Sequence, residues 1–274
     1  MIHLTRPELT CAHITRLDEY QETTNLEPDY PKRVQKAKTA FKSANRKGNI
    51  TFDAIKQALL SMCCGGTRCH YCEDSAPDEI EHFKPKDLYP ETCFVWANYL
   101  YVCGPCNGTY KNNRFSVQTT SGDIVDITRQ RGDAVTSPLV GEPVLIDPSH
   151  ENPLDFMELD LATFIFNELG DENTHRFERA RFTIETLGLN ARDILVESRR
   201  SAFASYFARL KQYTDEKMGG ASSEKLERLK CGIFSMPHIT VWAEMQRQRT
   251  YNSERHRQLK EMFDLSSELH TASL

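Results

Sequence analysis

Two Cys-x-x-Cys pairs, Cys69/Cys72 and Cys103/Cys106, bracket a stretch that holds Glu81-His82 and Asn98, and Asn107 directly follows the last cysteine. A Cys-x-x-Cys turn lets two thiolates converge on one ion. Two such turns fill a tetrahedral zinc shell and leave no open position. The spacing therefore predicts a structural zinc whose binding energy becomes folding energy. Cys63, Cys64 and Cys93 lie nearby without paired spacing. Free thiols are the plainer alternative; nine cysteines, an odd count, speak against a disulfide framework.

Between and after the pairs, the residue types suit a second, harder metal. A carboxylate such as Glu81 suits Mg²⁺ or Mn²⁺, whereas a neutral imidazole such as His82 can take a proton from water near pH 7. Neighbours on a regular strand face opposite ways, so these two serve one ion only at a strand end or bulge. Gly104-Pro105 reads as a helix start. That sets Asn107 and Lys111 on one face, with Cys106 about 100° round. Asn107 offers a neutral oxygen ligand, and Lys111 and Arg114 are candidate phosphate contacts, as are Lys84 and Lys86 in FKPK. Asn98 is placed to brace the loop that carries His82, and Trp96 and Tyr99 read as core.

The phrases CHYC, IEHFKPK and WANYLYVCGPCNGTYKNNRF resemble the ββα-metal motif of the HNH endonuclease superfamily in its zinc-stabilised form. That resemblance implies His82 as general base, Glu81 as metal ligand, Asn98 as the residue that fixes the loop, and Asn107 as second ligand. It also implies cleavage to a 3′-hydroxyl and a 5′-phosphate. Two departures stand out: Glu where many members have Asp, and Asn where many have His. More narrowly, these phrases and the later TIETLGLN are similar to the HNH nucleases of Septu and retron-linked antiphage systems, over about residues 60–200. The likeness implies an effector restrained until infection, working with an ABC/SMC-like ATPase partner. DNA is the expected substrate and a structured RNA such as tRNA the alternative. A zinc-binding adaptor that does not cut is the competing function.

The elements around the motif must hold it in place. The chain has 274 residues and a net charge of −5, so affinity for nucleic acid must come from local patches. One such patch is 31–56, with eight basic residues, Lys36 and Lys42 among them, against one acid, Asp53. A solvated face is the plain reading of such a run. No apolar run reaches the length of a bilayer span and MIHLTRPELT lacks a signal-peptide core, so a cytoplasmic protein without membrane contact is expected.

The pattern predicts an α+β chain. Residues 1–65 comprise an extended lead-in to about 30, then a basic helix over 32–47 stopped by Gly48. A second helix starts at Thr51, capped by Thr51 and stapled by Ile50 and Ile55. Residues 66–118 form the nuclease core and 119–154 a connection of short strands and loops. Residues 155–274 are mainly helical and the expected partner-binding part. A strand or hairpin is expected at LDFMELDLATFIFNELG, then helices at 175–187, 191–214 with Asn190 as N-cap, 223–234 and 238–262. His175 and His238 are given no role, and Arg199-Arg200 read as a solvated face.

Overall fold

The computed structural model describes residues 1–63, 65–251 and 254–270. The chain divides into two compact units: 5–62 with 77–147, and 1–4 with 63–76 and 148–274. The class is α+β, helices with three small antiparallel sheets among the described residues.

The first unit opens on helix α1 (Cys11–Asn25), where the sequence pattern predicts an extended lead-in. Its apolar signal is thin, because only Leu17, Gln21 and Thr24 of its fifteen residues are buried. Helix α2 (Tyr30–Ala44) carries the basic patch on its outer side and buries Val34, Ala37, Phe41 and Ala44. It ends before Gly48, whose φ of +88° suits a residue without a Cβ. Helix α3 (Ile50–Ser61) is capped two residues earlier than expected. Asn49, not Thr51, accepts hydrogen bonds from Thr51 N (3.1 Å) and Phe52 N (3.3 Å). Ile50 is exposed, so the staple does not form.

Strands β1 (Glu79–His82) and β2 (Tyr99–Val102) pair antiparallel in a regular register, Glu81 opposite Leu100 and His82 opposite Tyr99. A π-helical segment, Pro105–Lys111, follows where an ordinary α-helix is predicted. Its wider turn shows in the bond from Asn112 N to Asn107 O, 2.7 Å. A second sheet has the order β4-β3-β5, from β3 (Ser116–Gln118), β4 (Ile124–Asp126) and β5 (Glu142–Pro143). Phe41, Phe52, Phe94 and Tyr99 form an aromatic core between the helices and the β1–β2 hairpin, with Phe41 and Phe52 ring centres 5.6 Å apart.

In the other unit, β6 (Met157–Leu159) and β7 (Phe166–Glu168) make the expected hairpin. Helices α4 (His175–Thr186), α5 (Asp193–Met218), α6 (Ser223–Phe234), α7 (Ile239–Gln248) and α8 (Glu254–Leu265) follow. The predicted helix 238–262 is thus two helices, and its residues 252 and 253 lie outside the described ones. Asn190 does not cap α5; it bonds both backbone groups of Phe166 at 2.9 and 2.8 Å, and Arg192 takes the cap position. Ile239, Trp242 and Met245 are fully buried, and the Trp242 ring packs on Phe263 at 5.1 Å. Arg199 corrects the solvated-face reading. It is buried and donates to Phe164 O and Leu189 O. His238 is likewise buried, with Nε2 3.2 Å from Asp74 Oδ1. Among the described residues no helix is long and apolar enough to cross a membrane.

Candidate functional site

The sulfurs of Cys69, Cys72, Cys103 and Cys106 lie within 4.8 Å of one another, and all four residues are buried. Four converging sulfurs suit a tetrahedral zinc shell. Of the other candidates, Cys63 has its sulfur 3.5 Å from His70 Nε2 and Cys93 lies elsewhere in the core. Cys64 lies outside the described residues.

His82 ends β1 with its ring buried against Phe41 (4.4 Å between centres) and Tyr99 (5.2 Å). Its Nε2 is 2.9 Å from the carbonyl of Cys93, which also accepts from the Tyr99 hydroxyl at 2.7 Å. A carbonyl can only accept, so Nε2 carries the proton and Nδ1 keeps its lone pair. That Nδ1 is buried and has no hydrogen-bond partner. Burial, helped by the charges of Lys86 and Lys111, holds the imidazole well below its ordinary pKa, so the ring is neutral at pH 7. The ring is thus fixed in one tautomer with a lone pair on Nδ1, but that nitrogen is enclosed, and the burial that keeps the ring neutral also opposes its protonation.

The opposite face of β1 presents carboxylates. Residues two apart on a strand share a face, and Glu79 and Glu81 both meet the π-helical segment. Asn107 donates from Nδ2 to Glu79 Oε2, while Lys111 ion-pairs with Glu81 Oε1 and donates to the His82 carbonyl at 2.9 Å. Glu81 and Lys111 are both buried. Burial pushes the Glu81 carboxyl up and the Lys111 amine down, and their mutual attraction opposes both shifts.

These contacts change the expected division of labour. Lys111 has no exposed surface and is committed to Glu81, so it cannot reach a phosphate as placed. The regular register sends Glu81 and His82 to opposite faces, without the bulge that one shared ion requires. Glu81 and Asn107, the pair expected to hold Mg²⁺ or Mn²⁺, have different partners. The donor types on this edge, carboxylate and amide oxygen, nonetheless fit a hard cation. Sequence reasoning passed over Glu79, although strand alternation from Glu81 was a signal that could have found it.

Asn98 is buried and joins two parts of the loop between the strands. Its Oδ1 accepts from Lys84 N (2.7 Å), and its Nδ2 donates to Lys84 O (3.1 Å) and Thr92 O (3.0 Å). Lys84 and Lys86 are half-buried, lying over the Tyr89 and Phe41 rings at 5.7 and 5.4 Å. Lys42 and Arg114 are exposed and Lys36 half-exposed. Arg114 lines an open cleft of about 670 Å³ together with Lys38, Arg129 and Arg131, with Asp87 and Asp133 beside them. Lys38 and Asp87 pair at 2.7 Å. Arg129 and Arg131, which sequence reasoning did not single out, lie in the polar connection after β4, where motif spacing gives no signal.

Comparison with curated proteins finds similarity to two Septu PtuB proteins. One, from Bacillus thuringiensis, is 46% identical over 59 residues, which is 20% of this chain and 22% of that protein. The other, from Bacillus mycoides (strain KBAB4), is 27% identical over 123 residues, 39% of this chain and 38% of that protein. The matched stretches thus span well under half of either relative. No family model matches the chain, and no solved structure matches it.

Proposed function

We propose that this chain is a zinc-stapled HNH-type endonuclease that cuts DNA in antiphage defence, together with an ABC/SMC-like ATPase partner. The observation that carries the reading is His82. Its Nε2 is pinned by Cys93 O, its ring is neutral, and its buried Nδ1 has no hydrogen-bond partner among the described residues. The likeness to Septu PtuB supports the defence role.

In this reading the enclosure around His82 Nδ1 opens on substrate binding, and the nitrogen then takes the proton from a water as that water attacks phosphorus. Cys93 O and Tyr99 hold the imidazole in the tautomer that can do so. Asn98 holds the Lys84–Thr92 loop that carries the Cys93 carbonyl. Asn107 and a β1 carboxylate, on the strand face opposite the His82 ring, would hold Mg²⁺ or Mn²⁺, which would supply charge neutralisation at a phosphate and its leaving oxygen. Arg114, Lys36 and Lys42 contact flanking phosphates, with Lys84 and Lys86 moving off their aromatic rings to join them.

The buried, Lys111-paired state of Glu81 favours a second reading, a zinc-binding adaptor for nucleic acid or protein that does not cut. One-metal chemistry at a phosphate does not choose the sugar, so structured RNA stands beside DNA as substrate. The test is incubation of the purified chain with plasmid DNA and with total RNA, in Mg²⁺ or EDTA, with and without the ATPase. Cleavage of one polymer in Mg²⁺ alone is the expected result. Intact polymers with the partner present support the adaptor.

A further inference from the structure

We propose that Glu79, rather than Glu81, is the carboxylate that joins Asn107 in holding the divalent cation, and that Glu81 is the fixed counter-ion of Lys111. The inference rests on the nuclease reading for the presence of a divalent cation and assigns the residues that take it, on the face of β1 opposite the His82 ring. Glu79 and Glu81 share one face of β1, and the π-helical segment lays Asn107 and Lys111 across it in matching order. The two contacts divide cleanly, Asn107 to Glu79 and Lys111 to Glu81.

Burial separates the two carboxylates. Glu81 and Lys111 form a closed neutral pair inside the protein, and a cation entering there would strand the Lys111 ammonium without its partner. Glu79 is exposed and has no ion-pair partner among the described residues. Its second oxygen, Oε1, lies 3.9 Å from where a Cβ on Gly104 would stand, so no side chain of that residue covers it.

The present contact also shows how a cation would be received. Asn107 now offers its Nδ2 to the carboxylate. Turning the amide over puts Oδ1 in that place, so that two oxygens face a positive charge in place of a donor facing an acceptor. Two protein oxygens with water and phosphate completing the shell is the usual way Mg²⁺ is held. Lys111, anchored between Glu81 and the His82 carbonyl, then acts as a positioning residue that locks the end of β1.

The test is Mn²⁺ binding to the zinc-loaded full chain, read by the loss of the free-ion electron paramagnetic resonance signal. Glu79→Gln and Asn107→Ala should each weaken binding by about tenfold or more. Glu81→Gln alone leaves Lys111 uncompensated, so the pair is removed together as Glu81→Gln/Lys111→Met, whose affinity should stay within about twofold. Loss of binding in the double variant with retention in Glu79→Gln overturns the assignment, as does a wild type that binds no Mn²⁺ in the millimolar range. Mn²⁺ held through Glu79 without cleavage of any polymer keeps the assignment and removes the nuclease reading. Cleavage with Mn²⁺ following Glu81 does the reverse.

Discussion

Lys111→Met strips the charge that faces Glu81 in the interior of the first unit and leaves the carboxylate with no compensating partner. Breaking a buried ion pair from one side costs about 3–5 kcal/mol. Part of that is relieved because Glu81, already pushed up by burial, takes a proton. The His82 carbonyl also loses its 2.9 Å donor, which adds about 1–3 kcal/mol for an unpaired buried acceptor. Glu81→Gln/Lys111→Met removes both charges, so the ionic part returns and only the carbonyl loss stays. The cycle should therefore show a coupling of about 2–4 kcal/mol between the two positions. Urea denaturation measures it, at matched zinc content, with Trp96 as the reporter in a Trp242→Phe background common to all four proteins. The chain has two tryptophans, and Trp96 belongs to the unit that holds the pair. Additive single changes, with coupling below about 0.5 kcal/mol, would refute the ion-pair argument.

Asn98→Ala should destabilise the chain by about 2–3 kcal/mol, since it frees the Lys84 amide and the Lys84 and Thr92 carbonyls together; hydrogen exchange at the Lys84 amide should rise in step. Cys106→Ser should lower zinc content below one ion per chain and lower the melting temperature, while added Mg²⁺ restores neither; elemental analysis and calorimetry read both. Iodoacetamide should label exposed Cys11 and Cys231 in the native chain and spare Cys93, whose thiol burial pushes up to about 12; peptide mass mapping distinguishes them.

The convergence of the four cysteines was legible because Cys-x-x-Cys spacing is a local signal that encodes its own geometry. The hairpin at 157–168 and the apolar side of α5, from Leu195 through Tyr213, were legible for the same reason: their periodicity matches burial. Helix α1 was missed because its fully buried residues are one leucine, Leu17, and two polar residues, Gln21 and Thr24. Asn190 could have been a cap by type, but Phe166, distant in sequence, takes both its polar atoms. Lys111 is the sharpest case. An amine beside a candidate catalytic centre reads as a phosphate contact, and nothing in the chain before folding says that Glu81, thirty residues away, will take it into the interior. The π-helical turn belongs to the same class, since nothing in the local spacing of PCNGTYK distinguishes it from an ordinary helix start.

The central claim is that His82 supplies the base of a phosphodiester cleavage, and one variant addresses it with little else disturbed. His82→Gln keeps an amide able to donate to Cys93 O but has no nitrogen that takes a proton near neutral pH. Plasmid cleavage in Mg²⁺, with the ATPase present and zinc content and melting temperature matched, should fall by at least about a hundredfold in this variant. Cleavage at the wild-type rate would contradict the account and move the base to another residue.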